Sequence, residues 1–200
     1  MYILGVKQLI DHLMKYPIAY VLVQNIVNGS GHKRIKEYLK KVIRSSELVL
    51  DQGCGTGEYS LLFKNYTGVD NNPKDIEYAQ KKYVGKFMVG DAAKMDFKGF
   101  SFDSVFAVGL HHHLDEAQAK KAMTEALRVT KKGGKVVIID AMLPVSPWNL
   151  VGLVLRKLDR GGFVRHFSKT LELLPQKTVV KYHIISTYPL DFICINITKQ

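Results

Sequence analysis

The 200-residue sequence predicts a doubly wound α/β fold, in which helices cover both faces of a mostly parallel, seven-stranded sheet. Two patterns predict it. Between residues 47 and 140, short apolar runs bounded by Gly, Asp and Asn alternate with segments of helical periodicity, which is typical of parallel strands joined by helices. Near the end, two runs rich in β-branched and aromatic residues flank Tyr188-Pro189 and predict an antiparallel hairpin that closes the sheet.

Each apolar run of the alternating region predicts one strand, and the intervening segments predict helices. The predicted strands are 47–51, 66–70, 86–91, 102–108 and 135–140. The predicted helices are 58–64, 73–83 and 115–131. The last of them has acidic residues in its first turn, lysines in its last turn, and Gly133-Gly134 as its stop signal.

The remaining segments complete a single predicted domain over residues 1–200. Residues 1–46 form a helical N-terminal cap, with an apolar stripe that ends at Pro17, a second helical stretch over 18–27, and a basic amphipathic segment over 32–44. We interpret that basic segment as a solvated helix face. Residues 47–140 form a ligand-binding core, and residues 141–200 form an insertion on the acceptor side followed by the closing hairpin.

Composition narrows the class of protein. The formal net charge of +11 favours polyanionic partners without naming one. Cys54 and Cys194 are far apart and predict reduced, structural thiols. The N-terminal sequence lacks the features of a secretory leader, and the apolar stretches are shorter than the roughly 20 residues that a membrane span requires. We therefore expect a cytoplasmic protein that can contact a membrane peripherally.

The strongest local signal is LVLDQGCGTGEYS (48–60), an apolar strand followed by Gly53, Gly55 and Gly57. Glycines at such a turn let a ligand approach main-chain N–H groups, so a nucleotide-like ligand is predicted there. The dinucleotide fingerprint would have its third glycine where this chain has Glu58, and a phosphate loop would require a Gly-Lys-Ser/Thr that is absent. Acidic groups nearby suit a ligand with a sulfonium and an ammonium group.

Four ordered segments between Leu48 and Asp140 resemble class I S-adenosylmethionine-dependent methyltransferases, in particular their small-molecule, type 11-like group with a Rossmann-like sheet. The segments are VLDQGCGTG, GVDNNP (68–73), GDAAKMDF (90–97), and FDSVFAVGLHHHL with RVTKKGGKVVIID. The resemblance implies S-adenosylmethionine as the cofactor and S-adenosylhomocysteine as its product. It places Asp51 under the amino group, the three glycines along methionine and ribose, Asp70 on the ribose hydroxyls, and Asp91 with Ala92 at the adenine. The implied cofactor-binding residues are Asp51, Gly53, Gly55, Gly57, Asp70, Asn71, Asp91 and Ala92.

The run His111-His112-His113 follows the predicted fourth strand. Three consecutive side chains cannot all face one ion, so no metal site is expected. In one interpretation His112 or His113 faces the transferred methyl group and orients or deprotonates the acceptor. In the other, the turn only contacts the cofactor, since methyl transfer depends mainly on positioning. Both interpretations remain open.

The acceptor site is predicted in the N-terminal helices and in the basic segment around DRGGFVR (159–165), which would suit an anionic head group. We expect a small-molecule or lipid-like acceptor. An RNA methyltransferase is the first alternative, but Ala107-Val108-Gly109-Leu110 stands where base-methylating enzymes carry an Asn/Asp-Pro-Pro motif, so nucleic acid is the less expected partner. A non-catalytic adenosylmethionine-binding protein is the second alternative.

Overall fold

The computed structural model describes residues 31–159, 161–175 and 180–200. The two helical stretches predicted before residue 28 lie outside these residues, as do Arg160 and residues 176–179. The described strands are β1 (Leu48–Gln52), β2 (Asn65–Asp70), β3 (Lys86–Val89), β4 (Phe102–Val108), β5 (Thr130–Met142), β6 (Val180–Thr187) and β7 (Leu190–Thr198). The described helices are α1 (31–42), α2 (Pro73–Lys82), α3 (Glu116–Val129), α4 (Leu150–Leu158) and α5 (Phe167–Leu171).

The strands form one sheet in the order β3-β2-β1-β4-β5-β7-β6. The first five are parallel, and β7 runs antiparallel to both β5 and β6. This confirms the predicted fold class. The strand order reverses between β1 and β4, and in open α/β sheets ligands bind at the carboxyl ends of the strands beside such a switch point.

Alternate residues of the central strands face two separate cores. Val49 and Val137 belong to the core under α1, where Ile35, Leu39 and Ile43 are fully buried. The neighbouring strand residues belong to the core under α3, which adds Met123, Ala126 and Val129. Burial on both faces explains why these strands appear in the sequence as continuous apolar runs.

The structure corrects the predicted end of the third core helix. The helix α3 ends at Val129, two residues early, and Gly133-Gly134 are not its stop signal. Thr130 pairs with Phe102 and Lys135 with Ser104, so the residues between them form an irregular loop inside β5. At this end of the helix the Thr130 hydroxyl donates to the Ala126 carbonyl, at 2.7 Å, and the Thr130 backbone is already extended.

Other predicted boundaries also change, and the strand predicted over 86–91 already ends at Val89. The segment predicted as a helix over 58–64 is a short 3-10 turn over Glu58–Leu62. The strand predicted to end at Asp140 continues to Met142, and the insertion after it contains α4 and α5. Of the helices in the described ranges, none combines the length and the apolar character that crossing a membrane would need.

Candidate active site

The glycine turn after β1 is held against the end of β2. The N–H groups of Gly53 and Cys54 both donate to the Val69 carbonyl, at 2.8 and 3.0 Å. Gly57 has a φ of +78°, and a Cβ there would lie 2.5 Å from the Phe87 ring and 2.9 Å from the Ala79 Cβ. Gly55 has a φ of +49°, and no atom of the described residues lies within 4 Å of the position of a Cβ. The turn is therefore packed tightly behind Gly57 and open at Gly55.

Asp51, near the end of β1 and two residues before Gly53, is buried, with an exposed fraction of 1%. Its carboxylate accepts a hydrogen bond of 2.6 Å from the Tyr66 hydroxyl. Burial and, to a lesser extent, the charge of Asp70 raise the pKa of Asp51 to about 7, while the Tyr66 hydrogen bond acts in the opposite direction. A cation next to the Asp51 carboxylate would favour its ionised form.

Asp70 ends β2 beside the turn. One carboxylate oxygen accepts from the Gly55 N–H at 2.8 Å, and the other accepts from the Asn72 N–H at 2.9 Å. These bonds fix the carboxylate at the edge of the opening, because Asn72 in turn caps the first turn of α2 by accepting from Lys74. Asn71 is exposed next to it.

Gln52 links the predicted adenine loop to β1, a role that the sequence analysis missed. Its side-chain amide donates to the carbonyls of Ala92 and Ala122, each at 2.8 Å, while its Oε1 is buried without a partner in the described part of the chain. Asp91 is exposed and accepts from the Ala93 N–H at 2.8 Å. A Gln at the end of a buried strand is a signal that sequence reasoning could have used, because a buried side-chain amide needs hydrogen-bond partners.

Glu58, in contrast, points its charge toward α1. It forms an ion pair with Lys36, and His32 lies 3.4 Å away. The polar contact with His32, with Lys36 adding to it against the effect of burial, lowers the pKa of Glu58 to about 2. The acidic groups at the opening are therefore Asp51 and Asp70, and the charge of Glu58 is compensated by the helix.

The three histidines have three different environments. His111 is fully buried, its ring nitrogens have no hydrogen-bond partner among the described residues, and burial lowers its pKa. His112 is buried between two carboxylates, with Nδ1 at 2.6 Å from Asp140 and Nε2 at 3.5 Å from Asp159. His113 is exposed, with its ring 4.1 Å from that of His112. Burial would lower the pKa of His112, but Asp140 and Asp159 outweigh it and raise the pKa to about 9.

The basic segment after β5 is mostly engaged within the protein. Arg156 is buried and donates to the carbonyls of Met142 and Asp191 and to the Asp159 carboxylate. Arg165 donates to the carbonyls of His111 and Leu114, at 2.8 and 2.6 Å. These arginines are thus partly engaged inside the protein, and an acceptor site for an anionic head group in this segment stays a prediction. Lys157 is exposed, and Lys169 pairs with Glu172.

An apolar surface lies at the same edge of the sheet, beyond β5. We call it the α4 face. Trp148 and Leu150 are 89% and 66% exposed, and Val151 and Val154 continue the surface along α4. A shallow groove of about 420 Å³ adjoins it, and it is lined by Val145, Ser146, Trp148, Asn149, Ser186, Tyr188 and Asp191. Met142 pairs with Asp191, so this groove is at the carboxyl end of β5.

Comparison with known proteins agrees with this geometry. Residues 50–138 match a family model described as a methyltransferase domain. The chain is 31% identical to demethylmenaquinone methyltransferase of Thermotoga maritima over 138 residues, 65% of this chain and 58% of the relative. It is 31% identical to sterol 24-C-methyltransferase of Saccharomyces cerevisiae, over 54% of this chain and 31% of the relative. The chain thus spans less than two thirds of the length of either relative.

A solved structure from Thermotoga maritima, described as a SAM-dependent methyltransferase, shares the fold. It superimposes with a TM-score of 0.72 at 18% identity, covering 94% of this chain and 99% of the other. The sheet order and the glycine turn at its switch point define a doubly wound nucleotide-binding domain. Together, the match to the methyltransferase-domain family over residues 50–138, the methyltransferase relatives and the shared fold support a class I S-adenosylmethionine-dependent methyltransferase.

Proposed function

We propose that this protein transfers a methyl group from S-adenosylmethionine to a small, lipid-like acceptor. The observation that carries the proposal is the open glycine turn at Gly55, flanked by the carboxylates of Asp51 and Asp70. When bound there, the cofactor would supply an electrophilic methyl group on a sulfonium.

The residues present fit this cofactor. The open space at Gly55 lets a ligand meet the backbone without a Cβ between them. Asp51 would compensate the ammonium group, and Asp70 can accept charge-assisted hydrogen bonds from a ribose diol. Asp91 and Ala92, which Gln52 ties to the end of β1, would flank the adenine. Asn71 stays a predicted contact beside Asp70.

The two predicted catalytic histidines are suited to different tasks. His112 is paired with two carboxylates and has its pKa raised to about 9, so at neutral pH it is a cation that cannot accept a proton. His113 is exposed and is the better candidate to exchange a proton with an acceptor. We therefore assign orientation to His112 and leave proton transfer to His113.

The apolar character of the α4 face supports a lipid-like acceptor. Exposed Trp148 lines a groove at the carboxyl end of β5, where an acceptor of this fold would approach the methyl group, and exposed Leu150 and Val151 follow it in the chain. The names of the relatives, which act on demethylmenaquinone and on a sterol, point to the same class. Exposed Lys33, Arg34 and Lys157 on α1 and α4 would favour weak contact with an anionic membrane surface.

The proposal is tested by cofactor affinity in Asp70→Ala. Loss of the ribose hydrogen bonds should cost about 1.5–3 kcal/mol, or about ten- to a hundredfold in the Kd for S-adenosylmethionine measured by calorimetry. Glu77→Ala is the matched control, since it removes from α2 an exposed carboxylate that pairs with Lys81. Wild-type affinity in Asp70→Ala, with the fold intact by circular dichroism, would refute the site assignment.

A further inference from the structure

The side chains around His112 form a charged group that joins two separate parts of the chain. We call Asp140, His112, Asp159 and Arg156 the His112 cluster. Asp140 ends the predicted core on β5, His112 is in the 3-10 turn after β4, and the other two residues come from the end of α4. His112 is 7% exposed and Asp140 is 3% exposed. The cluster is therefore a buried bridge between the core and the insertion.

The backbone packs around the cluster as closely as the side chains do. The Phe163 N–H donates to the His112 carbonyl at 3.0 Å. A Cβ on Gly161 would lie only 2.0 Å from the His112 ring, so the chain crosses directly over the imidazole. The Gly161 N–H donates to Asp159 at 2.9 Å. We call residues 161–163 the crossing segment. Any displacement of the His112 ring must move the crossing segment too.

The charge of His112 is required by its partners. A neutral imidazole donates from one ring nitrogen only, whereas an imidazolium donates from both. With carboxylates at both nitrogens, a neutral His112 would place a bare nitrogen lone pair against one of two buried anions. The turn or the crossing segment would have to shift to relieve that contact.

The same turn supports the wall of the cofactor site. Leu110, which immediately precedes the three histidines, packs on the glycine turn so closely that a Cβ on Gly53 would lie 2.8 Å from its Cδ1. The Leu110 carbonyl accepts from the His113 N–H at 3.0 Å. The position of the 3-10 turn is therefore transmitted to Gly53 through one side chain.

We propose, as an inference that rests on the cofactor site proposed above, that His112 is a positioning residue. Its imidazolium fixes the 3-10 turn, and through Leu110 this turn holds the glycine turn in the shape that binds the cofactor. The crossing segment stays in place as long as both carboxylates are paired. Ligand affinity and protonation of His112 are then linked, so each favours the other.

Other charged and titratable groups also face this cluster, and they define what the experiment must separate. Arg156 lies against Asp159 and Asp140, and it opposes a second negative charge there. Arg165 is near His111, while the neutral His111 and the exposed His113 flank the ring within the turn. The arginines do not titrate in the accessible range. If ligand affinity depends on pH through His112, the substitution Asp159→Asn should change that pH dependence.

The first test compares the Kd of S-adenosylhomocysteine, which lacks the sulfonium charge, in wild type and Asp159→Asn. Loss of one carboxylate moves the pKa of His112 down toward its ordinary value of about 6.5. The ratio of the two Kd values should therefore rise to about fivefold or more near pH 8, where only the wild type keeps the imidazolium, and should be smaller at about pH 6 and pH 10. The ammonium of the ligand titrates equally in both measurements and cancels.

The control is Glu172→Gln, which removes a carboxylate from the exposed pair with Lys169 in the same insertion. Its Kd ratio should stay near one at every pH. A ratio for Asp159→Asn that is flat with pH would overturn the proposal, because simple loosening of the segment has no reason to follow the titration of His112. Absence of binding by the wild type at any pH would instead refute the proposed function.

A second measurement needs no variant. The imidazole resonances of wild-type protein are titrated by NMR with and without saturating S-adenosylhomocysteine. Reciprocity requires that the ligand raise the pKa of His112 if the imidazolium favours the ligand. An unchanged pKa of His112 on binding overturns the proposal even if Asp159→Asn does not fold.

Discussion

Burial and one hydrogen bond have opposite effects on the pKa of Asp51. Its carboxyl group is almost fully enclosed, yet the Tyr66 hydroxyl keeps it ionisable near neutral pH. The Tyr66 phenol itself does not ionise near neutral pH, because burial and then the Asp51 charge raise the pKa of Tyr66 well above its ordinary value. Tyr66 is therefore a permanent donor, and Asp51 is the member of the pair that titrates.

This balance predicts that affinity for S-adenosylmethionine falls as the pH drops below about 7. Protonation of Asp51 would remove the charge that is proposed to compensate the ammonium group, while the ligand keeps its own charges. In Tyr66→Phe the pKa of Asp51 rises further, so the fall in affinity should begin at a higher pH. Calorimetric Kd values across this range provide the measurement.

Tyr78→Phe provides the control, since that tyrosine is on α2 and its hydroxyl accepts from Lys82. Its pH profile should match that of the wild type. If Tyr66→Phe also retains the wild-type profile, Asp51 does not control the pH dependence of binding.

At the residue scale, Asp51 and Asp70 are predicted from the sequence as cofactor-binding residues, whereas their hydrogen-bond partners are not. Asp51 and Asp70 end apolar runs, and strand ends are where ligand-binding groups of this fold occur. Tyr66 could not be assigned, because its approach to Asp51 depends on the β1–β2 register, in which Asp51 lies opposite Gly68. A Cβ on Gly68 would lie 3.0 Å from the Tyr66 hydroxyl. The hydrogen bond between Tyr66 and Asp51 therefore depends on the absence of a side chain at Gly68.

The glycine turn is an element in which neighbouring glycines have different tasks. Gly57 lies against Phe87 and Ala79, whereas Gly55 faces open space. Both have positive φ, so an alanine at either position carries a backbone cost of about 1–2 kcal/mol. Only at Gly57 is a steric clash added to that cost.

We expect Gly57→Ala to reduce the free energy of unfolding in urea clearly more than Gly55→Ala does, because its Cβ meets packed atoms. Gly55→Ala should instead lose about tenfold or more in affinity for S-adenosylmethionine, since its methyl group occupies the space of the ligand. Equal affinity losses at the two positions, after correction for unfolded protein, would argue against an opening at Gly55.

Gly133→Ala is the matched control for this comparison. Gly133 also has a positive φ, +74°, and no described atom within 4 Å of a Cβ position, but it is in the irregular loop of β5. Its alanine variant should lose stability as Gly55→Ala does and bind the cofactor normally.

Element boundaries were predicted well where a local signal decided them. Asn72 and Pro73 start α2, and Asp115 with Gln118 forms the capping box of α3. The end of α3 was missed because its apparent glycine stop belongs to a loop held by Lys199, whose backbone pairs with Gly133 and Gly134. A contact of that sequence separation has no local signature.

For the whole molecule, charge and apolar surface coincide at the carboxyl edge of the sheet. The α4 face and exposed basic residues of α1 both lie near β6 and β7, since Arg34 donates to the Ser186 carbonyl. Such a surface is suited to lie on an anionic bilayer, where interfacial Trp and Leu enter the apolar phase. RNA offers comparable charge but no such phase.

We therefore expect salt-sensitive sedimentation with anionic phosphatidylserine vesicles. The variant Trp148→Ser/Leu150→Ser should weaken that association by about tenfold, because two exposed apolar groups are lost. Val84→Ser is the control, since Val84 is 94% exposed and precedes β3 at the opposite edge. Tight binding to random RNA with no vesicle association would favour the RNA alternative.

The seven-stranded architecture could be predicted because β-rich and helical periods alternate so regularly before residue 140. The positions of the two hairpin strands in the sheet could not be predicted. Its second strand, β7, inserts next to β5 and leaves β6 at the edge, and sequence patterns do not distinguish that order from its reverse. The choice is made by Ile193, Ile195 and Ile197, which are fully buried against β5 and α3.

The insertion of β7 has a consequence for synthesis. The helix α1 leaves the ribosome early, yet Phe192 and Cys194 of its core belong to a strand made about 150 residues later. Until then Ile35, Leu39 and Ile43 lack part of their cover, and β5 presents an unpaired edge along Lys135–Met142. The growing chain therefore exposes an unpaired strand edge until β7 is made, and unpaired edges of this kind are the sites at which incomplete chains aggregate.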